Sequence, residues 1–250
     1  MRVCRYRFRG QDRYGLVEGD RVKPQTAAPW LGGTPEGPAV ALAEVELLAP
    51  VEPSKVVCVG RNYRAHAREL GNEVPPEPLL FLKPSTAVVG PGEAIRCPEQ
   101  SSEVHHEAEL AVVIGRPLSR ATAVEARMAV FGYTCLNDVT ARDIQRAEKQ
   151  FTRAKGFDTF CPIGPVVETG VDPHDLVIVC RVNGSERQRG PTSDMVVDPF
   201  ALCAYVSQVM TLLPGDVVAT GTPEGVGVIR RGDWVEVEIA GIGLLRNPVV

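Results

Sequence analysis

The stretch Val104-His-His-Glu-Ala-Glu-Leu-Ala-Val-Val-Ile114 is the most informative segment of this 250-residue chain. Its second half, residues 110–114, is continuously apolar, which is typical of a strand that is buried on both faces. Its first half places Glu107 and Glu109 at positions i and i+2, so that both side chains point to the same face of a strand. The stretch therefore predicts a buried strand with a pair of carboxylates at its start.

Two adjacent carboxylates repel each other, and a shared cation would offset that repulsion. An all-oxygen ligand set selects a hard ion such as Mg²⁺, Mn²⁺ or Ca²⁺ over Zn²⁺. The same Glu-x-Glu pattern is also common on solvated strand edges, so the pattern alone leaves both interpretations open. Asp138 is a candidate third ligand because it follows the apolar segment 131–136 at a strand end. Its alternative role is that of a helix N-cap.

Elsewhere the chain alternates short strand patterns with turns. Residues 3–9 alternate apolar and basic side chains, and residues 14–17 and 21–22 flank a glycine turn, which predicts a strand followed by a hairpin. Pro50 and Pro53 stiffen the chain and disfavour a continuous helix or central strand. We therefore expect a small N-terminal β unit over residues 1–50 and a larger domain over residues 51–250.

Three helices are predicted in the larger domain. One covers residues 62–70 and is stopped by Gly71, a second starts at the capping box Thr122-Ala-Val-Glu125, and a third runs from the N-cap Asp198 to residue 213. Residues 216–250 alternate short Val/Ile segments with glycine turns, which predicts a β meander. The fold class is accordingly α+β and strand-dominated.

Composition excludes several classes of protein. The chain has 27 basic and 31 acidic residues and no basic block, which disfavours a nucleic-acid partner. No apolar run is long enough to span a bilayer, so we expect no membrane partner. The 7 cysteines are odd in number and form no C-x-x-C pair, which is typical of reduced thiols. The N-terminus lacks the apolar core of a signal peptide, and we therefore expect a cytoplasmic location.

Three further segments hold candidate functional groups. His66 and Glu69 share one face of the first predicted helix, where the carboxylate could orient the imidazole as a general base, or the two could form an ordinary surface contact. Lys155 precedes a glycine that would let a ligand approach, although a solvated lysine is the alternative. The segment 221–227 matches no nucleotide-binding motif, but its amides and the Thr222 hydroxyl could hold a carboxylate.

Taken in order, seven motifs in residues 55–250 resemble the fumarylacetoacetate hydrolase family. They are Val59-Gly-Arg-Asn-Tyr-Arg-Ala-His66, Phe81-Leu-Lys-Pro-Ser85, His106-Glu-Ala-Glu-Leu110, Asn137-Asp138, Ala141-Arg-Asp-Ile-Gln145, Lys155-Gly-Phe-Asp-Thr159 and Gly221-Thr-Pro-Glu-Gly-Val-Gly227. The resemblance implies a mixed β roll of the C-terminal type of this family, preceded by a variable N-terminal region, and a homodimeric enzyme. Residues 51–250 would then be the catalytic domain.

The resemblance also implies roles for individual residues. The metal ligands, for Mg²⁺ or alternatively Mn²⁺, would be Glu107, Glu109 and Asp138. The catalytic residues would be His66 and Glu69, as a dyad on a lid segment, together with Lys155. The substrate contacts would be Arg142, Gln145 and Thr222.

The expected substrate is a small 2-oxo acid that chelates the metal through its carboxylate and 2-oxo oxygens, so that an enolate becomes accessible. Our first hypothesis is hydrolytic C–C bond cleavage of an acylpyruvate-type dicarboxylate, with His66 activating water. The alternative within the family is an isomerase or decarboxylase of aromatic compound catabolism. Examples are a 2-hydroxyhepta-2,4-diene-1,7-dioate isomerase, a 5-oxopent-3-ene-1,2,5-tricarboxylate decarboxylase or an oxaloacetate decarboxylase. An alternative of another class is a non-catalytic β-rich binding module.

Overall fold

The computed structural model describes residues 1–250, of which 41% lie in strands and 18% in helices. The strands are β1 (Arg2–Phe8), β2 (Gln11–Glu18), β3 (Arg21–Gln25), β4 (Val40–Ala41), β5 (Glu46–Leu48), β6 (Val56–Gly60), β7 (Leu79–Lys83), β8 (Val88–Val89), β9 (Val104–His106), β10 (Ala108–Ile114), β11 (Val130–Asn137), β12 (Thr140–Ala141), β13 (Cys161–Glu168), β14 (Val177–Val182), β15 (Ser185–Pro191), β16 (Val217–Ala219), β17 (Gly227–Val228), β18 (Trp234–Ile239) and β19 (Gly243–Pro248). The α-helices are α1 (Arg64–Glu69), α2 (Ala123–Ala129), α3 (Arg142–Ala147), α4 (Thr152–Lys155) and α5 (Pro199–Val209), and four short 3-10 helices supply the rest of the helical residues. The predicted strand-dominated α+β class is confirmed.

The strands form three sheets. The largest has 12 strands, with the main order β4-β3-β2-β1-β13-β11-β10-β16-β6-β7, while β5 pairs with β1 and β8 with β13. A 3-stranded sheet has the order β12-β9-β17, and a 4-stranded sheet has the order β15-β14-β18-β19. The large sheet is mixed, because β16 is parallel to β6 but antiparallel to β10. Strand β10 lies between β11 and β16, and all of its residues are buried.

The predicted continuous strand over residues 104–114 is wrong in one respect, because it is interrupted at Glu107. The part before the break, β9, pairs with β12 and β17, whereas β10 belongs to the large sheet. At the break, the Glu107 amide donates to the side chain of Asn137 at 3.0 Å and its carbonyl accepts from the Asp138 amide at 2.8 Å. At Glu107, hydrogen bonds to a side chain and to a loop amide thus replace the regular hydrogen bonds between neighbouring strands. This residue lies at the junction of two sheets.

Residues 1–50 contribute five strands to the edge of the large sheet. The predicted hairpin is present as β2 and β3, with Glu18 opposite Arg21 across the turn. Strand β1 pairs with β2 and β5 and also with β13, which lies outside this segment. The N-terminal segment therefore extends the sheet that carries β10 and β11.

Two of the predicted helices begin where their caps indicate. The Thr122 hydroxyl accepts from the Glu125 amide, and the Glu125 carboxylate accepts from the Thr122 amide at 2.8 Å, which forms the predicted capping box. Asp198 caps α5, and Pro199 occupies its first turn. Helix α5 ends at Val209 and not at residue 213, because Leu212 pairs with Leu118 through two backbone hydrogen bonds of 2.9 Å.

The first predicted helix is shorter than expected, since α1 begins at Arg64 and not at residue 62. The Asn62 side chain is buried and donates to the carbonyls of Val197 and Thr220 at 2.9 and 2.8 Å, and it accepts from the Val197 amide at 2.9 Å. Asn62 therefore anchors the segment that precedes the helix and does not cap it.

The predicted single β meander over residues 216–250 is also wrong. Its strands are divided among all three sheets: β16 joins the large sheet, β17 joins β9, and the β18–β19 hairpin extends β14. Periodicity identifies each of these strands, but it does not specify which partner each one finds. None of the five helices combines the length and apolarity required to cross a lipid bilayer.

Asp216 fixes the start of β16 against the start of β6. Its buried carboxylate accepts from the Ser54 amide and hydroxyl at 3.0 and 2.6 Å, from the Leu213 amide at 2.8 Å, and from the Lys55 ammonium group. Burial alone would raise its pKa, but these hydrogen bonds lower the pKa of Asp216 below the ordinary value. The ionised carboxylate is therefore the form that stabilises the fold.

We predict that Asp216→Asn lowers the free energy of unfolding at pH 7 by about 3 kcal/mol, because it leaves the Lys55 ammonium group without its counter-ion. The difference should shrink as the pH falls through the lowered pKa, since the wild-type carboxylate then becomes protonated as well. Urea unfolding at several pH values measures both effects. Asp12→Asn, which removes an exposed partner of Arg7, is the control and should have a much smaller effect. Equal losses in the two variants would contradict this role of Asp216.

Candidate active site

Glu107, Glu109 and Asp138, here called the acidic triad, converge at the junction of β9, β10 and β11. One carboxylate oxygen from each lies within 4.8 Å of the others, and all three side chains are buried. The pairing of β10 with β11 explains this convergence, because Ala108 lies opposite Asn137 and so brings the residue after β11 beside Glu107. The structure thus brings together the three predicted metal ligands, which come from two separate parts of the chain.

Three basic side chains surround two members of the acidic triad. The Lys155 ammonium group lies 2.8 Å from Glu107 Oε2 and 2.6 Å from Asp138 Oδ2, and the Arg142 guanidinium also donates to Glu107. Burial opposes ionisation of both Glu107 and Lys155, but the attraction of Lys155 to Asp138 and Glu107, and of Glu107 to Lys155 and Arg142, prevails. The pKa of Glu107 is therefore lowered and that of Lys155 is raised. Both groups are charged near neutral pH.

The third cation, Lys83, has no role assigned by the sequence analysis. Its Nζ atom is fully buried, lies 2.7 Å from Asp138 Oδ1, and donates to the carbonyls of Val139 and Lys155 at 3.0 and 2.6 Å. The only signal in the sequence is a lysine that ends the apolar strand β7. Such a lysine is buried only when partners compensate its charge, but the sequence does not identify those partners.

Glu109 differs from the other two carboxylates. Its only hydrogen bond comes from the Gly221 amide at 2.8 Å, and no basic side chain pairs with it. Burial raises the pKa of Glu109 well above the ordinary value, and the charges of Asp138 and Glu107 add to this effect. Asp138 Oδ1 is also buried and accepts no well-directed hydrogen bond. An all-oxygen triad with incompletely satisfied acceptors fits a hard divalent cation.

His66 and Glu69 form the predicted pair on α1, with His66 Nδ1 and Glu69 Oε2 separated by 3.4 Å. The Glu69 carboxylate also accepts from the Gly225 amide at 3.0 Å, which ties the helix to the 221–227 loop. His66 is buried, and burial lowers its pKa, although the nearby charge of Glu107 opposes this shift. The imidazole is therefore neutral at pH 7, as a general base requires.

A cavity of about 1010 Å³ adjoins these groups. Four predicted site residues line it: His66, Arg142, Gln145 and Lys155. The acidic triad lies behind Arg142 and Lys155 and is not part of the cavity wall. A cation bound at the acidic triad would therefore compete with the Lys155 ammonium group for the same carboxylate oxygens.

Thr222 and Glu69 are not part of the wall of this cavity. The Thr222 hydroxyl donates to the Ala108 carbonyl at 2.8 Å and accepts from the Gln188 side chain at 2.7 Å. Gln188 is buried and also binds the Ala108 amide and the Pro223 carbonyl, so it holds the 221–227 loop against β10. The substrate contact of Thr222 stays a prediction, and the sequence analysis missed Gln188.

Comparison with known proteins places these residues in a family. The model of the fumarylacetoacetate (FAA) hydrolase C-terminal domain matches residues 55–250, and a model described as Rv2993c-like, N-terminal, matches residues 1–50.

Two solved structures are similar over the whole chain. The 5-carboxymethyl-2-hydroxymuconate delta-isomerase from Mycobacterium smegmatis is 46% identical, with a TM-score of 0.94 and coverage of 100% of this chain and 99% of that chain. The 2-hydroxyhepta-2,4-diene-1,7-dioate isomerase from Mycobacterium marinum is also 46% identical, with a TM-score of 0.93 and coverage of 100% and 98%. At this identity, the similarity extends beyond the fold to the sequence.

A human relative is similar to a comparable degree. The mitochondrial oxaloacetate tautomerase FAHD2A from Homo sapiens is 47% identical over an alignment of 226 residues that covers 85% of this chain and 72% of the relative. The family model, the two structures and this relative agree with the family that the sequence motifs indicate. The chain therefore belongs to the fumarylacetoacetate hydrolase family of enzymes.

Proposed function

We propose that the protein is a divalent-metal-dependent enzyme that interconverts the enol and keto forms of a 2-oxo dicarboxylic acid. The observation that carries this proposal is a buried acidic triad next to a cavity whose wall also holds a neutral histidine. The names of the relatives, two isomerases and a tautomerase, favour proton transfer over the C–C bond hydrolysis that was our first hypothesis.

The residues of the acidic triad would hold Mg²⁺ or Mn²⁺. When bound there, such a cation would act as a Lewis acid that favours negative charge on the 2-oxo oxygen of the substrate. Arg142 and Lys155 add positive charge on the cavity wall and would attract the substrate carboxylate. The Arg142 guanidinium is held in place by Glu107 and Gln145, so its orientation is set before the substrate arrives.

His66 would move the proton between carbon and bulk solvent. When Nδ1–H donates to Glu69, the lone pair of His66 is on Nε2, and this atom can take a proton from the carbon adjacent to the 2-oxo group. The same imidazolium can return the proton to the oxygen or to a carbon of the delocalised enolate, which gives the enol form, the keto form or, from a dienolate, a positional isomer. Glu69 stabilises the imidazolium that forms transiently.

Hydrolytic C–C cleavage is a second candidate, and the His66–Glu69 pair itself is the observation that supports it. A neutral histidine oriented by a carboxylate can also deprotonate water for attack on a distal carbonyl. An assay of oxaloacetate, acylpyruvates and dienedioates, each with Mg²⁺, tests both candidates. Exchange of the C3 proton or isomerisation without cleavage supports proton transfer, whereas release of pyruvate from an acylpyruvate supports hydrolysis.

We predict that Glu109→Gln weakens Mg²⁺ binding by about 100-fold or more, because this variant loses a direct ligand and even outer-shell losses weaken binding by about 10- to 100-fold. Isothermal titration calorimetry with Mg²⁺ measures the affinity. Glu168→Gln is the matched control, since Glu168 is also buried but binds the N-terminal ammonium group of Met1. Unchanged Mg²⁺ affinity in Glu109→Gln would contradict the assignment of the acidic triad.

We predict that His66→Asn lowers kcat for tautomerisation by about 10²- to 10⁴-fold and leaves Mg²⁺ affinity unchanged, because the variant loses only the base. The base must be neutral to act, so kcat/KM should fall as the pH falls through the pKa of His66. Since burial lowers this pKa, the acid limb should lie below about 6.5, the ordinary histidine value. Initial rates from pH 4.5 to 8 measure the profile.

His174→Gln is the control for this variant, because His174 is exposed and does not line the cavity. It should retain wild-type rates and the wild-type pH profile. A wild-type pH profile that persists in His66→Asn would show that a different group is the base.

A further inference from the structure

Arg61 lies on the wall of the cavity and has no partner in the protein. It follows β6 directly, its side chain is half-buried, and it makes no hydrogen bond, ion pair or stacking contact. A partly desolvated guanidinium without a counter-ion is unfavourable unless a ligand or solvent compensates it. Its five N–H donors match the geometry of a carboxylate.

The other cations of the cavity wall are already committed or exposed. Arg142 and Lys155 are bound to the acidic triad. Arg146 is exposed and pairs with a glutamate outside the acidic triad, and Lys149 is exposed without a salt bridge. Arg61 is therefore the half-buried cation on this wall that is available to a second anionic group of the substrate.

The backbone holds Arg61 in a conformation that side chains with a Cβ atom seldom adopt. Its φ is 60°, in the left-handed region, and such conformations persist where the surrounding structure enforces them. The next residue, Asn62, supplies that constraint through its three hydrogen bonds to Val197 and Thr220. The position of the Arg61 backbone is thus fixed before any ligand binds.

Gly221 connects the segment that contains Arg61 to the acidic triad. Gly221 packs so closely on the same segment that a Cβ at Gly221 would lie 2.8 Å from the Asn62 Cβ and 3.2 Å from the Val59 carbonyl. The Gly221 amide in turn binds Glu109. Gly221 therefore lies between the backbone that flanks Arg61 and Glu109 of the acidic triad.

An apolar surface adjoins Arg61 on its other side. Gly60, which precedes Arg61, pairs with Leu79 of β7, and residues 79–82 of that strand line the cavity together with Phe151 and Met210. An apolar surface between charged groups suits the carbon chain of a ligand with a carboxylate at each end. The cavity, at about 1010 Å³, is larger than the smallest 2-oxo diacids require.

We propose that Arg61 binds the distal carboxylate of a 2-oxo dicarboxylic acid and thereby selects dicarboxylates over monocarboxylates of the same length. This inference rests on the proposed function, since it assumes that the 2-oxo end of the ligand is bound at the acidic triad. Arg61 contacts no reacting atom in this arrangement and determines specificity through binding alone.

The test compares the binding of matched ligand pairs to the Mg²⁺-loaded protein by calorimetry. 2-Oxoglutarate is compared with 2-oxopentanoate, and 2-oxoadipate with 2-oxohexanoate, so that each pair differs by a carboxylate in place of a methyl group. We expect Arg61→Gln to weaken binding of the preferred diacid by about 10- to 100-fold, the usual contribution of a charged hydrogen-bonded pair. Binding of the matched monoacid should change by less than about 2-fold.

Two further variants make the test specific. Arg61→Lys keeps the charge but loses the bidentate geometry, so it should restore part of the diacid affinity. Lys149→Gln removes the exposed, unpaired cation of the same wall and should leave both affinities unchanged. Equal loss of diacid and monoacid affinity in Arg61→Gln, or a loss of diacid preference in Lys149→Gln alone, would overturn the assignment.

Binding and turnover separate this inference from the proposed function. If Arg61→Gln loses the diacid preference but the wild-type protein turns over no 2-oxo acid, the proposed reaction fails and the assignment of Arg61 stands. If the wild-type protein catalyses tautomerisation but binds diacids and monoacids equally, the assignment of Arg61 fails and the proposed reaction stands.

Discussion

The structure of the site depends on the burial of carboxylates inside a β-sheet protein. Removing Glu107 and Asp138 from water is unfavourable by several kcal/mol for each group unless opposite charges compensate. Lys155, Lys83 and Arg142 provide that compensation through direct contacts. Because Arg142 and Lys155 lie on α3 and α4, this charge network also fixes these two helices against the large sheet, which itself carries Lys83 on β7. The electrostatic requirement of the site and the packing of the fold are thus satisfied by the same contacts.

The sheet junction determines where the carboxylates of the acidic triad lie. The interruption at Glu107 lets one strand segment enter the small sheet while the other continues into the core, and the carboxylates lie at this point of divergence. Glu109 is left with a single backbone donor, so the negative charge of the acidic triad is unevenly compensated. The carboxylates of such a site can bind a metal ion by releasing a proton or by giving up a contact with a lysine.

Helix α1 and the 221–227 loop connect this charged site to the cavity. Glu69 binds both His66 and the Gly225 amide, so the position of the imidazole depends on the loop. The loop is in turn held by Gln188 and by the Gly221 contact with Glu109. A displacement of either element would therefore change the position of the base relative to the acidic triad. Such coupling is typical of sites in which orientation determines the rate.

The sequence alone determined the local structure and the chemical types of the site residues. Alternating and continuous apolar patterns specify strands such as β10, and the pair Thr122 and Glu125 specifies a helix start, because both depend on neighbours a few residues away. The ordered motifs were sufficient to identify the family and to name the acidic triad as candidate ligands.

The tertiary structure decided how these parts combine, because that depends on contacts between residues far apart in the chain. The division of residues 216–250 among three sheets has no local signature, since strand periodicity does not specify a partner. The same holds for Lys83, whose burial is explained only by partners far along the chain, which are the Asp138 carboxylate and the carbonyls of Val139 and Lys155. Likewise, only the folded chain shows that the Thr222 hydroxyl is engaged by Ala108 and Gln188, while the guanidinium of Arg61 stays unpaired at the cavity.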